Sequence, residues 1–342
     1  MPSRPEQLPE TQPTETTPKV IRIPTSLRLH ACERLVTGPN RRQNARSLIS
    51  SADNHGINLD YMWGSIPLED DIRSPRVRQV CLAVIGAGRT AMLFHSSPES
   101  PRTLGSREQQ SDEIGRCISV CLNELGQMDG RVGLAQSLFE PDQHWAREAC
   151  KQAQMTCVGE LAYMRKPLIG EQHRPAYEPK WPEGVRVRPL RATKDRLDAE
   201  DRQMLIHALE SSYVETLDCP ELCGIRSMDD VIESHMATGK FDADRWLLIL
   251  KEGEPVGCCL LTHCPANQSI ELVYLGIAPT ARGLGLGKTV LRHGISRLID
   301  LDAREVTCAV DTRNTPAIRL YQSLGFSRFD SRIGYVARIP MH

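Results

Sequence analysis

Apolar residues along the chain switch between two periods. Short runs of strand character, Trp246-Leu-Leu-Ile-Leu250, Val256-Gly-Cys-Cys-Leu-Leu261, Ile270-Glu-Leu-Val-Tyr-Leu-Gly-Ile277 and Val306-Thr-Cys-Ala-Val310, alternate with stretches of helical spacing, Lys288 to Ile295 and Pro316 to Phe326. Compact apolar runs bounded by turn signals read as strands, whereas apolar residues three and four apart read as one face of a helix. The first half shows the same alternation: an apolar run ending at Gly86, Thr90 to His95, a helix-like segment from Glu108 to Leu125, a short amphipathic helix from Trp145 to Met155, and Leu161 to Pro167. Strands interleaved with helices predict an α/β fold whose mixed sheet is flanked by helices.

The pattern repeats at half the length of the 342-residue chain, which pairs Ala146 with Ala317 in the two short helices; Leu161 to Pro167 matches Ile333 to Pro340 in the same frame. Between the halves, Lys166 to Gly184 carries Pro167, Pro175, Pro179 and Pro182 with little periodicity, which reads as a linker. Met1 to Lys19 is rich in Pro, Thr and Glu and lacks the apolar stretch of a signal peptide, so a disordered tail and a cytoplasmic protein are expected. The organisation predicted is a tail over 1–19, a domain over 20–167, a linker over 168–184 and a second domain over 185–342. With 40% hydrophobic residues the chain can bury two cores.

The strongest chemical signal is Arg282-Gly-Leu-Gly-Leu-Gly-Lys288, set between the strand ending at Ile277 and the helix from Lys288. A Gly-rich bend feeding a helix N-terminus is an anion site, because backbone N–H groups converge there and the helix dipole adds about half a positive charge. A Walker loop is excluded because Arg282 stands where its first Gly belongs, and the dinucleotide fingerprint because Gly283, Gly285 and Gly287 alternate strictly. In the first half, Gly86-Ala-Gly-Arg-Thr-Ala91 matches that fingerprint, yet the residues after it read as a strand, making Gly86 to Arg89 a hairpin turn equivalent to Glu252 to Pro255.

Arg-x-x-Gly-x-Gly after Ile277-Ala-Pro279 resembles the pyrophosphate loop of the GNAT acetyltransferase superfamily, which binds acetyl-coenzyme A. A second motif of that family is also present: Asn314-Thr-Pro-Ala-Ile-Arg-Leu-Tyr-Gln-Ser-Leu-Gly-Phe326 resembles its coenzyme-side helix and following turn. Asn314 suits an N-cap, Pro316 the first turn and Gly325 a C-terminal stop. The resemblance implies two tandem GNAT-like domains, an arrangement similar to mycothiol synthase-like acetyltransferases. The N-terminal copy is degenerate, since its helix opens with Glu108, whose charge would repel a pyrophosphate. Its expected part is to wall the substrate cleft.

The implied reaction is transfer of the acetyl group of acetyl-CoA to a primary amine by direct attack. It needs a base, an oxyanion donor and an acid for the leaving thiolate. Glu271 resembles the family's strand carboxylate, a general base acting through water, and Tyr321 its general acid. Leu275, Gly276 and Ile277 offer a backbone N–H to the thioester carbonyl; Arg282, Gly283, Leu284, Gly285, Leu286, Gly287, Lys288 and Asn314 complete the cofactor site. In the acceptor segment Ser211 to Arg226, Tyr213, Glu215 and Asp218 are candidates to hold a cationic amine, of a small molecule or a protein. The competing reading is a non-catalytic coenzyme-A-binding or scaffold protein on the same fold.

Charge narrows the partners. The 42 basic residues offset 43 acidic ones, for a net charge of −1 and a pI near 6.8, and no basic run suggests nucleic acid or an anionic membrane. The twelve cysteines read as reduced, mostly small core residues, and no metal is expected: Cys219 and Cys223, with His263 or Cys264, lack the paired CxxC of a zinc site.

Overall fold

The computed structural model describes residues 18–67, 76–168, 177–298 and 302–340. The expected tail lies outside the described residues up to position 17, and Lys19, its last member, instead opens a strand. The first half runs β1 (Lys19–Arg22), α1 (Arg28–Leu35), α2 (Arg41–Ser51), β2 (Met62–Ile66), β3 (Val80–Gly86), β4 (Thr90–His95), α3 (Pro101–Leu104), α4 (Arg107–Gly126), β5 (Leu134–Phe139), α5 (His144–Gln152) and β6 (Thr156–Pro167). The second runs β7 (Val185–Pro189), the small hairpin β8 (Ala192–Thr193) and β9 (Arg196–Leu197), α6 (Ala199–Tyr213), α7 (Met228–Met236), β10 (Trp246–Lys251), β11 (Glu254–Cys264), β12 (Ser269–Ile277), α8 (Leu286–Ser296), β13 (Glu305–Asp311), α9 (Thr315–Ser323) and β14 (Ser327–Arg338).

Twelve strands form one mixed sheet in the order β1-β2-β3-β4-β5-β14-β6-β13-β12-β11-β10-β7. Read from its two edges this is the same series twice, except that the last strand of each half has crossed into the other: β14 pairs with β5 and β6 with β13, all antiparallel. The repeat seen in the sequence is thus a pair of matching halves that complete each other's sheet. The parallel pairs β4–β5 and β12–β13 occupy equivalent places, each followed or bridged by a long helix. They correct one expected equivalence. Gly86 to Arg89 is a hairpin turn, but its counterpart is the connection from Cys264 to Ser269, one strand further on than Glu252 to Pro255.

Central strands carry apolar residues on both faces because both faces are covered: Trp246 to Leu250 are all buried, and most of β11 with them. On one face of the second half Val290 and Leu291 of α8 and Tyr321 of α9 cluster with Leu261, Ile270 and Val306 of the sheet; on the other, Leu205 and Leu209 of α6 and Ile232 of α7 cluster with Trp246 and Leu260. The first half has the same two layers, around Ile114, Ile118 and Phe139 and around Cys32, Met62 and Val80. None of the twelve cysteines is bonded to another, and nine are buried. Among the described residues no helix is long and apolar enough to cross a membrane.

The halves also meet at the β3–β4 turn. A Cβ at Gly88 (φ +63°) would lie 1.9 Å from the Asp230 carbonyl oxygen of α7, so only glycine permits this approach. Arg89 alongside reaches the Asp230 carboxylate at 3.6 Å. Beyond Pro167, residues expected to be a loose linker are docked on α8: Tyr177 lies under the Arg292 guanidinium at 4.1 Å and its carbonyl meets His293 Nδ1 at 2.8 Å, while Trp181 packs edge-on against His293.

Candidate active site

β12 and β13 are paired only over Ser269–Glu271 and Glu305–Thr307, and beyond these residues they diverge. A β-bulge at Val273 marks the point of departure. The gap opens into a cavity of about 780 Å³, bounded by the C-terminal part of β12, the start of α8, α9 and the segment from α6 to α7, with Leu134 and Leu161 of the first half in its wall. The first half therefore supplies part of the cavity wall.

At one end of the cavity the chain makes a single 3-10 turn over Pro279–Ala281, then passes through Gly283 (φ +79°) and Gly285 (φ +72°) into α8. Both glycines are required by backbone handedness, since a Cβ on either would meet nothing within 4 Å. No side chain caps α8, and among the described residues the N–H groups of 283–288 have no hydrogen-bond partner. Lys288 and Arg319 line the same wall without a carboxylate partner among the described residues. Uncapped amides, a helix N-terminus and two cations make a surface with the chemistry to hold an anion. Leu286 and Gly287 belong to it; Leu284 is 47% exposed and does not line the cavity. The first half shows the contrast. Its equivalent helix, α4, begins with a capping box in which Ser106 and Gln109 satisfy each other's amides, with Glu108 in the first turn.

Arg282 is engaged differently from the expected phosphate contact. Its guanidinium donates to the carbonyls of Val214 (2.7 Å), Ser212 (3.2 Å) and Glu215 (3.4 Å) and its Nε to that of Ile277 (3.0 Å). It closes the C-terminal end of α6, where cations are favoured, and ties the acceptor segment to the glycine loop. Asn314 likewise has a structural duty, accepting the Ala317 N–H at 3.2 Å as N-cap of α9, while lining the cavity.

The acceptor segment is held by a network that the sequence did not announce. Asp311, fully buried at the end of β13, accepts from the Cys219 N–H (3.1 Å) and from Arg313, and its own N–H donates to Asp218 (2.8 Å). Arg313 also grips Glu221 and donates to the Val158 carbonyl of β6 at 2.8 Å. Burial pushes the Asp311 carboxyl up, but Arg313 and the backbone donors outweigh it and hold it below the usual carboxylate range. Asp218 opens on the cavity yet is ringed by protein, and its pKa is raised, chiefly by burial. Tyr213 packs edge-on against Tyr274, and burial pushes its phenol up to about 12. Glu215 is largely exposed, with its carboxylate 3.9 Å from Arg282.

Tyr321 is buried in the core of α9, tilted against Phe326 with ring centroids 5.6 Å apart, and it lines the cavity; burial raises its pKa well above the ordinary phenol value. Glu271 sits where β12 and β13 part, half-buried and opposite Thr262 and Thr307, with its pKa raised by burial. It is not in the cavity wall. Leu275, Gly276 and Ile277 are, and Gly276 is there because a Cβ would fall 2.5 Å from Ser212 Oγ and 2.7 Å from the Tyr274 hydroxyl. Sequence reasoning missed Tyr274, Arg226, His235, Arg313 and Arg319; all but His235 stood in or beside a segment already singled out, and only packing shows which of their side chains reach the cavity or its supporting network. Among the described residues no group of three His, Cys, Asp or Glu is placed to hold a metal ion.

Residues 206–326, which include the splayed β12–β13 pair and the uncapped Gly-rich start of α8, match the model of the Acetyltransferase (GNAT) family. The match falls within the second half of the chain and takes in β10 to α9. Among curated relatives, the mycothiol acetyltransferase of Actinosynnema mirum is 32% identical over 178 residues, 52% of this chain and 55% of that protein. Those of Kocuria rhizophila and Sanguibacter keddieii are 26% and 31% identical, over 80% and 63% of this chain and 90% and 66% of theirs. The chain thus spans little more than half the length of the first of these relatives. Among solved structures, a GCN5-related N-acetyltransferase from Sphaerobacter thermophilus shares the fold, with a TM-score of 0.55 and 16% identity over 94% of this chain and 96% of the other.

Proposed function

We propose that the protein is an N-acetyltransferase that moves an acetyl group from acetyl-CoA to a primary amine by direct attack, with residues 185–342 as the catalytic half and 20–167 as a half that has lost its own cofactor loop. The observation that carries this is the row of unpartnered amides at 283–288 opening on the cavity. The relatives named mycothiol acetyltransferase support acetyl transfer as the reaction class. The residues present fit the cofactor: the α8 N-terminus with Lys288 and Arg319 would hold its phosphates, and Leu275 to Ile277 would flank its acyl arm. Bound there, acetyl-CoA supplies an activated thioester.

The chain's own groups supply the rest. Asp218 faces the cavity and holds the amine as its ammonium ion. Glu271 removes the proton through water, its raised pKa matching it to that task. A β12 amide near Leu275 to Ile277 takes the oxyanion as the carbon–nitrogen bond forms. Tyr321, a phenol that stays protonated at neutral pH, gives its proton to the thiolate as the carbon–sulfur bond breaks, and its phenolate recovers one from the adduct nitrogen, which leaves a neutral amide. The test is release of free thiol from acetyl-CoA across a panel of primary amines. Amine-dependent release supports the reading; acetyl-CoA binding with no release from any amine refutes it.

A further inference from the structure

In the cavity wall stand two groups that the mechanism does not use. Arg226 lines the wall, half-buried, with one hydrogen bond from Nη1 to Ser234 Oγ at 3.0 Å. No carboxylate lies within ion-pair distance of it among the described residues. Asp230, whose charge it feels, reaches instead toward Arg89 at 3.6 Å. Other arginines set into the body of the protein are paired: Arg34 with Glu99, Arg78 with Glu113, Arg188 with Asp201. An inward guanidinium without a counter-charge is costly, and burial pulls the Arg226 pKa below the ordinary arginine value.

His235 stands beside it in the same wall, its ring stacked on Tyr274 with centroids 5.9 Å apart. Its Nε2 is buried and has no hydrogen-bond partner among the described residues. Burial and then the nearby Arg226 push the imidazole down to about 4, so it is neutral at physiological pH and available as a hydrogen-bonding group. A buried polar atom of this kind is ordinarily satisfied. The cavity wall thus presents an acid, Asp218, together with a cation that has no carboxylate partner among the described residues and an imidazole whose Nε2 is unpaired.

We infer that the acceptor carries, in the same molecule as its amine, an anionic oxygen group, carboxylate or phosphate, which Arg226 pairs with and to which His235 supplies a second hydrogen bond. The inference rests on the acetyl-transfer reading for the identity of the amine as acceptor. Arg226 is then a specificity-determining residue. Occupancy by such a group satisfies both side chains at once, whereas a neutral acceptor leaves the guanidinium buried and unpaired.

The test uses the whole chain, with saturating CoA for binding and acetyl-CoA for turnover, and two matched pairs of probes: L-amino acids with their carboxamides, and an amino-sugar 6-phosphate with the parent amino sugar. Binding is read by calorimetry and turnover by thiol release, for the wild type, Arg226→Gln and Arg226→Lys. The anionic member of one pair is expected to bind ~10- to 100-fold more tightly than its neutral partner, as a charge-assisted contact gives. Arg226→Gln should erase that ratio and Arg226→Lys restore part of it, with acetyl-CoA affinity and melting temperature unchanged. Which pair discriminates tells carboxylate from phosphate. No preference in either pair overturns the inference, as does a fall in acetyl-CoA affinity in Arg226→Gln, which would make Arg226 a coenzyme contact. Arg226-dependent preference without any turnover would keep the subsite and remove the acetyl-transfer reading.

Discussion

Arg313 and Glu221 form a two-point ion pair, with Nη1 and Nη2 at 2.7 and 2.8 Å from the two carboxylate oxygens, that fastens the acceptor segment to the end of β13. Because the same guanidinium serves the fully buried Asp311 and the Val158 carbonyl, one side chain joins the segment, the central strand and the exchanged strand β6. Arg313→Ala leaves Asp311 buried without its cation, which costs about 3 kcal/mol when a buried pair loses one partner. Urea denaturation should show that loss. The acceptor KM should rise more than the acetyl-CoA affinity falls, because the network of Arg313 holds residues 218–221 and not the amides of 283–288.

Gly285 is needed for its left-handed backbone and not for space. Gly285→Ala is therefore expected to cost about 1 kcal/mol of stability, the price of αL for a residue with a Cβ, and to weaken acetyl-CoA binding by turning the 283–288 amides off their common focus. Gly287→Ala, where a Cβ would meet the flexible end of Leu320 at 3.0 Å, should bind better than Gly285→Ala. Calorimetric titration of the two variants orders them. The reverse order would show that steric access governs the loop.

Tyr321→Phe keeps the ring that packs on Phe326 and removes only the hydroxyl. As the acid for the leaving thiolate, Tyr321 should contribute roughly 10²- to 10⁴-fold to kcat. Acetyl-CoA affinity should stay within about twofold. Equal loss of turnover and affinity would assign the hydroxyl to binding.

Two carboxyls compete for the role of base, and both are raised chiefly by burial. A base must be deprotonated to act, so kcat/KM should climb with pH through a value above the ordinary carboxylate range and fall away below it. Glu271→Gln is expected to remove that acid limb and to lower kcat about 10²-fold or more. Asp218→Asn should raise the acceptor KM and leave the limb in place. If the limb vanishes in Asp218→Asn instead, Asp218 is the base.

How much of this was legible in the sequence follows from the range of the forces involved. The glycine loop was legible as a backbone feature because its requirements are local: Gly283 and Gly285 give the left-handed turns and Asn314 caps its own helix. The halves were legible because their strands and helices recur in register. The exchange of β6 and β14 was not, since an antiparallel strand carries the same alternation whichever neighbour it joins. Nor was the wall of the acceptor site, where Arg226, His235 and Tyr274 come from separate elements and are brought together by packing alone. Arg282 shows the limit from the other side. Its position in the motif was read correctly as part of the loop, but its side chain is spent on the carbonyls of Ser212, Val214 and Glu215.

The central claim is that the start of α8 is an acyl-CoA site, and calorimetric titration of the purified protein with acetyl-CoA, run beside ATP and NAD, tests it most directly. The account predicts saturable binding of acetyl-CoA at one site per chain, weakened in Gly285→Ala, with no comparable binding of ATP or NAD. No binding of acetyl-CoA, or equal binding of ATP, would contradict it.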